Sequence, residues 1–160
     1  MLNAIDTFES LETHHCVTGS LRHIYQFYNH AISEEMLFGL GEGTGYIYWH
    51  QKGTLPFIGV RANPKPSVEE LAGQRTGVII TPYTTTSARK AEKSLIDLLE
   101  QNIPVMLQVD MGFLPYFDFQ GEEYHFGGHL IVACGYDEAN HSVLIADRDS
   151  ELHPVLMVHG

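Results

Sequence analysis

The sequence predicts an α+β chain, and three stretches carry that reading. From Cys16 the apolar residues Val17, Leu21, Ile24, Tyr25 and Tyr28 fall on one face of a 3.6-residue helix. From Ser87 to Gln101 the residues Ala88, Ala91, Leu95, Leu98 and Leu99 do the same, with Asn102 to close that helix and Pro104 to stop it. His129–Tyr136 and Ser142–Asp147 are β-rich runs on either side of the turn-rich residues 137–141, which makes an antiparallel hairpin. Amphipathic helices and an antiparallel hairpin in one chain are the ingredients of α+β architecture.

A length of 160 residues suits a single domain over residues 1–160, with enough chain to bury a core. The hydrophobic content of 44% against 18% charged residues excludes a disordered chain, and no run approaches the ~18 apolar residues of a membrane helix. With 20 acidic and 9 basic residues the formal charge is −11, which offers no general attraction to nucleic acid or to an anionic membrane; a cationic partner fits better. The first residues carry neither a basic nor an apolar targeting region, so a cytoplasmic location is expected, and with it two free thiols, Cys16 and Cys134.

In chain order, residues 1–13 read as an irregular or extended lead-in. After the first helix, Ser33 offers an N-cap to a short helix with Glu34 and Glu35 in its first turn and Met36, Leu37 and Leu40 as apolar contacts. Glycines 39, 41, 43 and 45 resemble a phosphate loop only superficially, because they follow a helix and lead into the strand-like Tyr46–Trp49. They read better as a loop that lets backbone approach closely, and no cofactor is expected. Residues 56–61 form another strand before the breaker-rich 62–66, and Ser67 with Glu70 makes a capping box. Gly77–Thr81 and Val105–Val109 read as strands. The aromatic-rich connection 110–127 reads mainly as packing, with a substrate wall as the rarer alternative.

Cys16 stands in the first turn of its helix, where unpaired amides and the helix dipole favour a thiolate. Read alone, such a cysteine is more often a small buried side chain. The hairpin changes the balance. Folded about Ala139, it sets Ile131 opposite Asp147, so His129 lies diagonally across from Asp147 and directly opposite Asp149. A thiol, an imidazole base and a carboxylate to orient it are the parts of a nucleophilic site. The spacing leaves Asp147 and Asp149 as rival orienters.

Residues 14–22 (HHCVTGSLR), Leu37–Gly41 with Gly43, Gly45 and Tyr46, Val109–Met111 with Leu114–Tyr116, and Tyr124–His129 with Gly135–Asp137 occur in an order that resembles the N-terminal domain of the butirosin biosynthesis protein H family. The resemblance runs over nearly the whole chain. It implies a papain-like cysteine-peptidase fold, a nucleophile helix packed on an antiparallel sheet, with Cys16 as nucleophile, His129 as base and Asp147 as orienting acid. It also implies an acyltransferase of specialised metabolism. An acyl group would pass from an acyl carrier protein or other thioester donor, through acyl-Cys16, to an amine such as an aminoglycoside.

The sequence departs from the pattern twice. Papain-like peptidases place a glutamine shortly before the cysteine as an oxyanion donor, whereas here the lead-in offers Glu9, Ser10, Glu12, Thr13 and His14. Family members commonly continue into a helical region, while this sequence stops at Gly160, leaving a fragment or a shortened homologue as the two readings. The rival functions are a cysteine peptidase or amidase on the same fold and a non-catalytic binding domain. A metal site through His14, His15, Cys16 and His129 lacks any paired ligand frame, so no metal is expected.

Overall fold

The computed structural model describes residues 2–53, 56–60, 65–121, 125 and 127–157; the expectations for 61–64, Tyr124, Phe126 and His159 lie outside them. The elements run β1 (Leu2–Ala4), α1 (Cys16–Phe27), α2 (Glu34–Leu40), β2 (Tyr46–Trp49), β3 (Phe57–Val60), α3 (Val68–Thr76), α4 (Ala88–Leu99), β4 (Val105–Val109), β5 (His129–Asp137), β6 (Ser142–Ala146) and β7 (Leu152–Leu156). This is a mixed α/β chain whose main sheet is antiparallel and curled.

β5 is the spine of that sheet. Its edge toward β6 is paired from Val132 to Asp137, and its other edge is shared end to end by β4, opposite His129–Ala133, and β1, opposite Gly135–Asp137. A strand enclosed on both edges and both faces has no use for alternation, which is why Ile131, Val132, Ala133 and Cys134 are consecutive and all buried. Beyond β6, β7 closes the sheet and carries Pro154, a residue tolerated on an edge because it has no N–H to donate.

α1 packs on β5 with one side and on α2 and α3 with the other, where Leu21, Tyr25, Leu37 and Ala72 form a second apolar cluster. A helix enclosed in this way buries more than its apolar stripe. Thr18, Gly19, Ser20 and His23 are all buried, whereas Tyr28, placed on the apolar face by its spacing, is exposed. The His23 ring stacks on Phe8, and its Nε2 accepts the Leu11 N–H at 2.9 Å, which ties the lead-in to the helix.

The helix signals in the sequence are met at their expected places. Ser33 and Ser87 cap α2 and α4, and Ser67 with Glu70 closes a reciprocal capping box on α3, which runs on to Thr76. The lead-in is extended over residues 2–4, a strand on the edge that the second half of β5 leaves open. Two expectations are corrected. Gly77–Thr81 is not a strand: Gly77 ends α3 in the left-handed region, no described strand runs beside the segment, and Ile79 is exposed. Met36 faces solvent, leaving Leu37 as the α2 residue with no exposed surface.

The glycine run works by close approach. A Cβ at Gly41 would lie 2.4 Å from Val68 Cγ1, and one at Gly43 would lie 2.5 Å from the Phe38 ring. Both positions therefore exclude a side chain, and the loop between α2 and β2 lies flat on the helices.

Candidate active site

Cys16 is the first residue of α1, and His15 before it is the N-cap, extended in backbone, with a ring nitrogen that accepts the Thr18 N–H. The donors just ahead of the helix are already in use. Glu34 reaches over from α2, and its buried carboxylate accepts the His14 N–H at 3.0 Å, the His15 N–H at 2.7 Å and the Thr18 hydroxyl at 3.2 Å. Hydrogen bonds to a charged group contribute about 1.5–3 kcal/mol each, so this carboxylate fixes where the helix begins. It also places a negative charge at the positive end of the dipole, which offsets the stabilisation expected there for a thiolate.

The thiol is instead lowered by what faces it. Burial alone would raise Cys16, but a side-chain contact with His129 and the amides of Leu130 and Val17 carry it below the ordinary thiol range. Burial would likewise lower His129, yet its bond to Asp147 and its contact with Cys16 push it up to about 9. Both shifts favour one charge state, a thiolate beside an imidazolium. Cys134, the other free thiol, has only desolvation acting on it and is pushed up to about 12.

His129 and Asp147 meet as the hairpin register requires. Val132 pairs with Ala146 and Ala133 with Ile145, the register expected for a fold about Ala139. Past that point Gly135 pairs with Leu144, so Cys134 is the extra residue of a bulge and the turn is shifted by one. At the open end the expected diagonal holds: His129 Nε2 lies 2.8 Å from Asp147 Oδ2, both side chains being almost fully buried. With Nε2 so engaged, Nδ1 is the ring nitrogen left for Cys16. Asp149 bonds His153 at 2.9 and 3.0 Å, which decides the rivalry in favour of Asp147 as the neighbour of His129.

The site also draws on residues whose individual roles were not legible in the sequence. Tyr116 donates its hydroxyl to Asp147 Oδ2 at 3.0 Å, and burial together with the Asp147 charge raises that phenol well above its usual range. Phe117 sets its ring edge-on to His129 at 5.6 Å, and Tyr116 stacks on His153 at 4.3 Å. Both aromatics come from the 110–127 connection; only its aromatic density hinted at them. The lead-in contributes differently from an oxyanion donor: the Thr13 hydroxyl donates to the Asp147 carbonyl at 3.3 Å, and that of Ser10 to the Asp149 carbonyl at 2.9 Å. Among the described residues, no three His, Cys, Asp or Glu side chains group as metal ligands, and no helix is long and apolar enough to cross a membrane.

Comparison with known proteins gives one match. No curated protein and no solved structure matches the chain. The model of the family described as butirosin biosynthesis protein H, N-terminal, matches residues 15–148, a span that begins at the N-cap of α1 and ends just past Asp147. The chain belongs to that family, one named for the biosynthesis of an antibiotic.

Proposed function

We propose that the chain is a cysteine-dependent acyltransferase of specialised metabolism, built on a papain-like fold, that passes an acyl group from a thioester donor to an amine. The observation that carries this reading is the placement of His129 between Cys16 and Asp147, with thiol and imidazole both shifted toward the ion pair. A membership shared with proteins named for antibiotic biosynthesis supports the choice of a biosynthetic donor and acceptor.

In this mechanism the Cys16 thiolate attacks the thioester carbonyl carbon. A new S–C bond forms, and the carbonyl electron pair moves onto oxygen. With Glu34 holding the amides of His14 and His15, the Cys16 amide is the donor nearest that oxyanion. Collapse expels the donor thiol, which takes its proton from the His129 imidazolium and leaves acyl-Cys16. The amine then attacks as neutral His129 removes its proton, and the thiolate departs. Asp147 keeps the ring turned and supports its cationic state, with Tyr116 holding the same carboxylate oxygen. Phe117 packs edge-on against the His129 ring and helps hold its orientation. The formal charge of −11 attracts a polycationic amine acceptor.

The test is intact-mass spectrometry with small acyl thioesters, with and without a polyamine acceptor. An adduct on Cys16, absent from Cys16→Ser and discharged faster by amine than by water, is expected. Discharge by water alone would make the chain a hydrolase, and no adduct from any donor would leave a non-catalytic binding domain.

A further inference from the structure

We propose that the β2–β3 ribbon is a docking element for an acidic partner protein, which it holds beside the Cys16 site; with the function proposed above, that partner is the carrier of the acyl thioester. The ribbon is a sheet of its own, pairing Tyr46 with Val60, Ile47 with Gly59, Tyr48 with Ile58 and Trp49 with Phe57 and nothing else among the described residues. Alternation sends Tyr46, Tyr48 and Ile58 to one face and Ile47 and Trp49 to the other. Among the described residues neither face is covered: Tyr46 is 81% exposed, Ile58 70%, Tyr48 60% and Trp49 52%. A free two-stranded hairpin is marginal in water, and a contiguous exposed apolar patch of this kind marks an interaction surface.

Charge says what kind of partner covers it. Between Glu42 and Glu69 the sequence carries Lys52, Arg61 and Lys65 and no acidic residue, in a chain with 9 basic and 20 acidic residues. The described lysines of this stretch, Lys52 and Lys65, are exposed. The stretch that carries the ribbon is thus net basic within an acidic chain. Such segregation orients and speeds the approach of a compact acidic protein, which meets the ribbon while avoiding the acidic body. An extended anionic bilayer would face the whole acidic surface and is disfavoured.

Position ties the ribbon to the site. Phe38 sets its ring against His15, the residue before Cys16, at 5.4 Å, and Gly43, three residues before β2 begins, packs against that same ring. Arg75 anchors the same root by donating to the Leu40 carbonyl at 2.6 Å and pairing with Glu42. The ribbon is therefore rooted on the residues that pack against the N-cap of the Cys16 helix.

Trp49, the one tryptophan of the chain, reports on docking without any chemistry. Titration with a small acidic carrier protein bearing an unloaded phosphopantetheine arm should blue-shift its fluorescence, and Lys52→Glu or raised salt should weaken that binding about tenfold. No shift overturns the proposal, as does a shift produced by phosphatidylserine vesicles but not by the carrier, or one that tracks dimerisation of the chain alone in sedimentation. A kinetic arm compares acylation of Cys16 by carrier-bound thioester and by the same acyl group on N-acetylcysteamine. Tyr48→Ser with Trp49→Ser should slow the first about tenfold and leave the second within about twofold; equal slowing of both overturns the docking role. If neither donor acylates Cys16 while the tryptophan shift persists, the acyl-transfer reading fails and the docking surface stands.

Discussion

The β5–β6 face and the β2–β3 ribbon are made from the same stock of aromatic and β-branched residues, yet one is dry and the other bare. On β5 and β6 the side chains from Ile131 to Cys134 and at Ile145 and Ala146 are buried on both faces of the sheet, and the polar groups at its end, His129 and Asp147, hold each other. On the ribbon Tyr46, Tyr48, Trp49 and Ile58 stand in solvent beside an exposed lysine. Burial makes the first region a place where one proton can be moved and held, because each polar atom has few alternatives. Exposure suits the second to meeting another surface.

The largest expected effect lies at the buried pole. Iodoacetamide near pH 7 should label Cys16 and leave Cys134 untouched, since desolvation has pushed Cys134 up to about 12. The Cys16 rate should already be substantial below the ordinary thiol value of about 8.5. His129→Ala removes the cation that faces the thiolate, so the pH limb should move upward and labelling at pH 6 should slow by about 10²-fold. The sign follows from the pair: His129 remains charged until pH rises through about 9, so below that point it supports the thiolate. An unmoved limb in His129→Ala would dissolve the contrast between the two thiols.

How much of this contrast could be read from the sequence differs by region, for physical reasons. The His129–Asp147 diagonal was legible because a hairpin fixes register from its turn, and the bulge at Cys134 disturbs only the half nearer the turn. The caps Ser33, Ser67 and Ser87 were legible because capping is a local bond between near neighbours. Glu34 read as an ordinary first-turn acid of α2, since nothing in local sequence says that its carboxylate ends on the amides of His14 and His15, twenty and nineteen residues away. Tyr116 was hidden for the same reason, its partner lying thirty-one residues on. Gly77–Thr81 has the composition of a strand and no described strand beside it, and composition cannot supply a neighbour.

A smaller effect is expected between the site and the lead-in. His23 has lost nearly all solvent, and burial lowers it, against the pull of its backbone neighbours, so that the folded chain holds it neutral. His23→Leu leaves the Leu11 N–H without its acceptor and should cost about 1–3 kcal/mol at pH 7, read as a lower urea midpoint. The pH dependence discriminates this from lost packing. A histidine with a lowered folded value contributes stability above its unfolded value of about 6.5 and loses it as pH falls, because the unfolded chain then binds the proton more tightly. The gap between wild type and His23→Leu should therefore narrow from pH 7 to pH 5. A constant gap would mean that His23 is held by shape alone.

The smallest effect belongs to the ribbon, and its smallness is the point. Ile58→Thr removes an apolar side chain that is 70% exposed, directly across from Tyr48, and keeps the β-branch that suits a strand. Little burial is lost, so the urea midpoint of the free chain should move by no more than about 0.5 kcal/mol. The same exchange at Ile131 or Ile145, each almost without exposed surface, would strand a hydroxyl in the core and cost about 1–3 kcal/mol. If Ile58→Thr costs as much as a core exchange, the ribbon is covered in solution by another part of the molecule or by a second copy, and the division into a dry buried pole and a bare exposed one fails. If it costs nothing to folding yet weakens the carrier titration, the apolar surface of β3 is kept for binding rather than for stability.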